Sequence, residues 1–401
     1  MQNIRLQVLA KIALLIFLYI LVYYTFFAFN SKPTEGDSLA YHIPIATSIL
    51  NGSFLNPASY FKHPTMEYSP GSSEAILSLF MIIGLPLNIY NVVGLIILVF
   101  VLYQLALQFG LEKNYAIIFA ATFCTIHTVV RWLSAQTIDI WLAIFFSLTL
   151  ILLQKPEKKI SYFLKLGFSA GMLIGTKYTG PLFLLVLCLF YFKQLLKSIN
   201  VQRFIVFLFP FTLVGLFWYI RNYVLTGDPY YPQSIPFFRG KEWHILDWAV
   251  WKIIFLYPTG FIRTWNAFVS EYTVWVVSLP FTIFFLISKY KKINTAKYRN
   301  IVILICIGLM NFIIYFFLPS GPYDNLMVTG FRYTYPAFIP LILSVFIIAQ
   351  KYKREEFLSV ISLINMIMIA ELSYHPKILL LYVPVGLLVY FINVNKQELK
   401  I

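Results

Sequence analysis

The sequence predicts an all-α, polytopic transmembrane bundle of about twelve spans, with short helices lying in the membrane interface in the first outer loop. Three observations predict it. Of 401 residues, 60% are hydrophobic and only 12% charged, with mean hydropathy +0.78; a soluble domain carries about twice that charged fraction. Apolar stretches long enough to cross ~30 Å of hydrocarbon recur along the whole chain. Basic loops alternate with loops of mixed charge, which gives the crossings one consistent orientation.

The first apolar run, Ile12 to Phe29, follows Arg5 and Lys11. It is long and lacks a small-residue cleavage site, so it reads as an uncleaved signal anchor. Crossings are expected at 9–29, 89–109, 115–130, 139–153, 161–176, 181–196, 204–220, 272–289, 300–318, 333–350, 356–373 and 378–394. The stretch from Ser72 to Leu87 is also apolar, but counting it as a span breaks the alternation of basic loops. It is expected to lie in the outer interface. With both termini in the cytoplasm, the inner segments hold 20 Lys/Arg and 5 Asp/Glu out of the chain's 31 and 16, and the outer segments hold 11 of each. The formal charge of +15 therefore falls on one face. Clusters such as Lys155, Lys158 and Lys159, or Lys351, Lys353 and Arg354, are the tethers. Short and dispersed between spans, they imply membrane lipids as partners and no nucleic acid. Cys124, Cys188 and Cys306 all fall inside apolar runs, with no CxxC pair, so neither a disulfide framework nor a thiolate metal site is indicated.

Two outer segments are long, 30–88 and 221–271, and both mix aromatics, prolines and charges. Long ordered loops in a compact protein carry function. All five histidines, His42, His63, His127, His244 and His375, fall on or near the outer side, beside 11 of the 16 carboxylates. Ionisable groups clustered at a bilayer surface point to a site that handles a polar, anionic ligand. The richest stretch begins just beyond the first span: Glu35-Gly36-Asp37-Ser38-Leu39-Ala40-Tyr41-His42-Ile43-Pro44. A short amphipathic helix is expected from Leu39 to Leu50, closed by Asn51-Gly52. Helix capping is an ordinary place for Asp37, but it leaves unexplained the second turn-rich unit, Lys62-His63-Pro64 through Glu67-Tyr68-Ser69-Pro70-Gly71.

An acidic residue beyond the first span, an interfacial helix and a Tyr-x-Pro-Gly turn together resemble the GT-C superfamily of membrane glycosyltransferases. The relevant branch is that of the protein O-mannosyltransferases and lipid A aminoarabinose transferases. Three further segments agree. Ala135-Gln136-Thr137-Ile138-Asp139 is similar to the family's second outer loop, which ends in an Asp. Trp218-Tyr219-Ile220-Arg221-Asn222 with Gly227-Asp228-Pro229-Tyr230-Tyr231-Pro232 resembles the W-x-x-RN…G-N-P-x-YP segment, with Asp228 where Asn is commoner. Phe331-Arg332-Tyr333-x-Tyr335-Pro336 is similar to the RY-x-x-P start of a late span. The resemblance covers residues 1–350, a catalytic module that includes both long outer loops; residues 351–401 add C-terminal transmembrane helices. The chain departs at Asp37-Ser38, where mannosyltransferases often show Asp-Glu.

The resemblance implies transfer of a sugar from a polyprenyl-phosphate donor to a lipid, glycan or protein acceptor at the outer face, with inversion. Such a reaction needs a carboxylate to deprotonate or orient the acceptor nucleophile; Asp37 is the candidate, with Asp139 as a second catalytic carboxylate. The leaving phosphate needs a cation. Arg332, Arg221, Arg263 and Lys177 stand at outer ends of spans, where snorkelling is the alternative reading for each. Lys177 lies in a turn between Gly175 and Gly180 too short for solvated display. Tyr41, His42, His63, Glu67, Tyr68, Trp243 and Trp265 are expected to line the substrate cavity, against the alternative of an interfacial aromatic belt. His42 and His63 are also candidate metal ligands, but no His-x-x-x-His spacing supports them, so a divalent ion is left open and is not indicated by a ligand motif. Two other functions fit an outward-facing polytopic chain: a flippase for lipid-linked oligosaccharide, which would want charges at mid-membrane, and a surface-polymer ligase or polymerase, which would want a dominant late outer loop. The Lys-, Ile-, Asn- and Phe-rich composition points to a bacterial inner membrane.

Overall fold

A computed structural model describes residues 2–55, 64–157, 159–233, 249–289, 298–318 and 330–372. Regular structure within them is helical. The chain enters through α1 (Gln2–Asn30), which exposes Leu15, Val22 and Phe26 outward. Large apolar side chains facing outward over a whole helix mean that the surrounding solvent is lipid. Two short helices of the first long loop follow, α2 (Ile43–Leu50) and α3 (Ser72–Ile83). At ~1.5 Å per residue neither can span a bilayer. α3 ends on Gly84, whose positive φ of 74° closes the helix in the left-handed conformation that glycine tolerates.

The next segment of the bundle comprises α4 (Tyr90–Gln108), α5 (Lys113–Cys124), the single turn α6 (His127–Val130), α7 (Asp139–Gln154), α8 (Ile160–Thr176) and α9 (Gly180–Ser198). Then α10 (Val201–Phe211) runs through a π-helical turn into α11 (Phe217–Thr226). The described chain continues with α12 (Val250–Leu256), α13 (Gly260–Tyr272), α14 (Ser278–Ser288), α15 (Arg299–Phe316), α16 (Tyr335–Lys351) and α17 (Glu355–Leu372). Seven helical stretches among the described residues are long and apolar enough to cross a membrane; α7 and α8 are apolar but, at 16 and 17 residues, slightly shorter. The expected crossing at 378–394 lies outside the described residues.

The boundaries differ most from the sequence expectation at two crossings. The one expected at 115–130 breaks after Cys124, where α5 ends, and only the single turn α6 follows. The crossing expected from residue 272 is continuous with α13 and runs from Gly260 to Ser288. Arg263, Asn266 and Glu271 lower its hydropathy, but Glu271 is fully buried and bonded to Arg131 of the segment after α6, 2.7 Å away. Pairing makes that acid tolerable inside the bundle.

Helix contacts sort the loops into two ends. At one end Arg5 meets Glu356 at 3.3 Å, Gln108 meets Gln154 at 2.7 Å, and Gln350 bonds the carbonyl of Gly110 at 2.9 Å. These are the basic connections. At the other end lie the loop between α1 and α4, the turns before α7 and α9, and the start of α16. The core is aromatic and aliphatic, with Tyr90, Phe146, Phe183 and Phe338 fully enclosed and α16 the most deeply buried span. Helix α8 approaches α10, the π turn and α3 so closely that a Cβ on Gly167 would stand 2.1 Å from Phe207 O, and one on Gly175 2.3 Å from Val214 O and 2.1 Å from Ser72 Oγ. Small residues at four-residue spacing are how membrane helices reach backbone contact, and here that contact draws α3 and α8 together beneath the site.

Candidate active site

Residue Asp37 ends the short link between α1 and a π-helical turn, Ser38–His42, closed by the amide of Ile43 on the carbonyl of Ser38. Single π turns inside helices often mark functional sites, because the wider turn changes which side chains share a face. Here it sets Asp37, Tyr41 and His42 along one side. The turn is held from behind. Glu35 accepts from the amides of Asp37 and Ser38 at 3.0 and 2.7 Å and from the Ser38 hydroxyl at 2.8 Å. The amide of Gln136 donates to that same hydroxyl at 2.9 Å. Ser38 thus ties the loop after α1 to the loop before α7.

Two carboxylates and two cations converge beside this turn. The Arg332 guanidinium pairs with Asp37 through Nη2, and its Nε lies 3.2 Å from Asp139 Oδ2. The Lys177 ammonium donates to Asp139 Oδ1 at 2.7 Å. Asp139 is the first residue of α7, where the helix dipole favours a negative charge. Lys177 is in extended backbone between α8 and α9, and Arg332 in a 3₁₀ turn that leads into α16. Arg332 and Asp139 are enclosed, with side chains 3% and 4% exposed, whereas Lys177 and Asp37 reach 21% and 40%. The cluster therefore has a closed floor and an open rim. The Nη1 of Arg332 is buried without a hydrogen-bond partner, so the fork retains donors for an incoming oxygen anion.

Aromatic rings complete the walls. Arg332 stacks 4.5 Å over Trp132, and Lys177 lies 3.5 Å over Tyr333. The Tyr41 phenol stands in the field of Asp37, Arg332, Tyr333 and Asp139; burial, then the carboxylates, push it well above its ordinary value, so it remains a hydroxyl donor. The enclosed His42 ring lies 4.1 Å from that of Tyr41 and bonds Glu74 of α3 through Nδ1 at 2.8 Å.

Asp37, Asp139, Lys177, Arg332, Tyr41 and His42 are thus gathered into one cluster. Arg221 is elsewhere. It stacks 5.0 Å over Trp218, bonds Asn222 Oδ1 at 2.7 Å and donates to the carbonyl of Glu67 at 3.3 Å. Asn222 in turn donates to the Tyr68 carbonyl at 2.8 Å and to the Tyr178 hydroxyl at 2.9 Å. This second group fastens the Glu67–Tyr68 turn to α11 and to the Lys177 turn; Asp228 joins it by accepting from the amide of Tyr230 at 2.8 Å. Burial raises the Glu67 carboxyl above its usual range, with Arg221 opposing. Arg263 and Trp265 lie on the exposed side of α13, Trp265 at 48% exposure. His63 and Trp243 lie outside the described residues. Among the described residues there is no group of three His, Cys, Asp or Glu that could hold a metal ion.

Sequence reasoning missed Trp132, Glu74 and the Arg131–Glu271 pair, and it noted Tyr333 only as part of a motif. Glu74 did carry a signal: a carboxylate in the first turn of an otherwise apolar helix. Trp132 carried none, being one of eight tryptophans in a chain that is 19% aromatic.

No protein-family model matches the chain. A 54-residue segment, 14% of the chain and 30% of the relative, is 33% identical to an uncharacterised protein of Shigella flexneri. Among solved structures, the fold is similar to ArnT from Cupriavidus metallidurans bound to undecaprenyl phosphate, with TM-score 0.59 and 13% identity over 88% of this chain. It is also similar to the oligosaccharyltransferase of Archaeoglobus fulgidus, with TM-score 0.54 and 13% identity over 90% of this chain. The chain spans 62% of the length of the first and 52% of the second. Crossing helices and these structural neighbours together give one conclusion: the chain is an all-α, polytopic membrane protein that shares the fold of these solved structures.

Proposed function

We propose that this chain is a glycosyltransferase that moves a sugar from a polyprenyl-phosphate donor to an acceptor at the outer membrane face, with inversion at the anomeric carbon. The observation that carries the reading is the compact set of two carboxylates and two cations, Asp37, Asp139, Lys177 and Arg332, beside the first outer loop. Asp37, at the open rim, takes or orients the proton of the acceptor nucleophile. As the new bond forms at C1, the C1–O bond to phosphate breaks and its electron pair leaves with the phosphate. Arg332 and Lys177 neutralise that developing charge. Asp139, between them, holds both cations in place and keeps them from repelling each other apart.

Support from the neighbouring fold is specific in one respect: the ArnT structure holds undecaprenyl phosphate, the kind of carrier proposed here as the leaving group. The test is release of polyprenyl phosphate by the purified chain when given a polyprenyl-phosphate sugar and candidate acceptors. A flippase would release none.

The orientation proposed is a bacterial inner membrane with both termini cytoplasmic. In a background lacking the three native cysteines, Asn51→Cys is expected to react with an impermeant thiol reagent in intact cells. Lys159→Cys is expected to react only after permeabilisation. Both positions are solvent-exposed. The opposite labelling pattern would put the cluster on the cytoplasmic side.

A further inference from the structure

Glu74 is buried in the first turn of α3 with no lysine or arginine paired to it among the described residues. Its Oε1 lies 2.8 Å from Nδ1 of the equally buried His42, and its Oε2 has no hydrogen-bond partner. A carboxylate so enclosed is costly unless a positive charge opposes it. A mere packing position would be better filled by an apolar residue, as at Leu77 and Phe80 on the same helix.

His42 closes the π turn that begins just after Asp37 and includes Tyr41, and it stands with Lys177 and Arg332 among the groups around Asp139. The groups that face the pair are Tyr41 from its own turn, Asp139 from α7 and Tyr90 from α4, whose phenol stands in the field of Glu74. The two permanent cations, Lys177 and Arg332, are already engaged by the enclosed Asp139 and by Asp37 at the open rim. Glu74 has only His42 beside it.

Resting on the transferase reading above, we propose that His42 is a positioning residue of the transfer site. Held by Glu74 as an imidazolium, it supplies the third positive charge, fixes the turn that follows Asp37, and adds to the positive field on Asp139. It exchanges no proton with substrate. Glu74 acts only through it.

His42→Gln and Glu74→Gln are each expected to lower turnover by about 10²-fold, the order of loss that follows small misplacements in a reacting site, with KM for the polyprenyl-phosphate sugar little changed. Each single variant should also melt earlier, because each leaves one buried charge alone. The double variant, with both charges removed, separates the roles. Its melting temperature is expected to recover while its turnover stays low. Recovery of both would make the pair a structural salt bridge and overturn the proposal, as would full turnover in His42→Gln. Solid-state ¹⁵N NMR of histidine-labelled protein, with His42 assigned by its loss in His42→Gln, should show both ring nitrogens protonated at neutral pH; a neutral ring overturns the proposal even if the variants fold poorly. Wild-type protein that transfers sugar from no polyprenyl-phosphate donor overturns the transferase reading and the positioning role with it. Wild-type transfer alongside unaffected variants overturns the role of His42 alone.

Discussion

Purified Asp37→Asn protein is expected to bind the polyprenyl-phosphate donor normally and to transfer sugar about 10²–10⁴-fold more slowly, the range of general acid–base assistance. The substitution is nearly isosteric, and an asparagine amide serves a helix start as well as a carboxylate does. The turn itself is held by Glu35, Ser38 and Gln136 rather than by the Asp37 side chain. A purely structural Asp37 therefore predicts a folded and active protein, and a catalytic one predicts a folded and inactive protein. The substitution also removes one of the two carboxylates on Arg332. Donor binding should consequently hold or tighten slightly, since the guanidinium is left with more of its positive field for phosphate. Single-turnover transfer in detergent, with donor binding measured alongside, decides the matter. Near-normal transfer would remove Asp37 from the mechanism and weaken the assignment of this reaction class.

Much of the bundle was legible in the sequence because a bilayer imposes length and polarity on each element. The crossing expected at 89–109 is Tyr90–Gln108, and that expected at 161–176 is Ile160–Thr176. Charge alternation likewise sorted the loops into the two groups that meet in space. The start of α13 was hidden because Glu271 and Arg131 look unfavourable singly, and only their 2.7 Å contact lets that acid lie inside the bundle. At the site, Asp37, Asp139, Lys177 and Arg332 could be singled out as ionisable groups beside apolar spans, but not their pairing. Arg221 shows why. Its position at the end of a helix is as suggestive as that of Arg332, yet packing turns it toward Asn222 and the carbonyl of Glu67. Which basic residue faces which acid is fixed by contacts over 295 residues of chain in the case of Arg332 and Asp37, and no local pattern encodes those.

Replacement of Arg332 carries the second large effect. Its side chain, 3% exposed, is shared between two carboxylates and stacked on Trp132. Arg332→Lys keeps the charge but loses the planar fork, so one ammonium cannot meet Asp37 and Asp139 in the same way while lying flat on the indole. Turnover is expected to fall clearly. Arg332→Ala removes the charge as well. Loss of one preorganised electrostatic group at a developing anion costs about 10²–10³ in kcat, and donor affinity should fall with it because Lys177 alone remains to meet the phosphate. Stability must be followed in parallel, since truncating one partner of a buried ion pair strands the other and costs roughly 3–5 kcal/mol. Arg332→Ala combined with Asp37→Asn answers that concern. With one stranded carboxylate neutralised, the double variant should melt near the wild-type temperature yet still bind donor weakly. Donor affinity and turnover both unchanged in Arg332→Ala would mean that this arginine only balances Asp37 and Asp139, and the phosphate role would pass to Lys177. Weak donor binding that persists in the well-folded double variant would instead assign the leaving-group cation to Arg332, independently of its part in holding the cluster together.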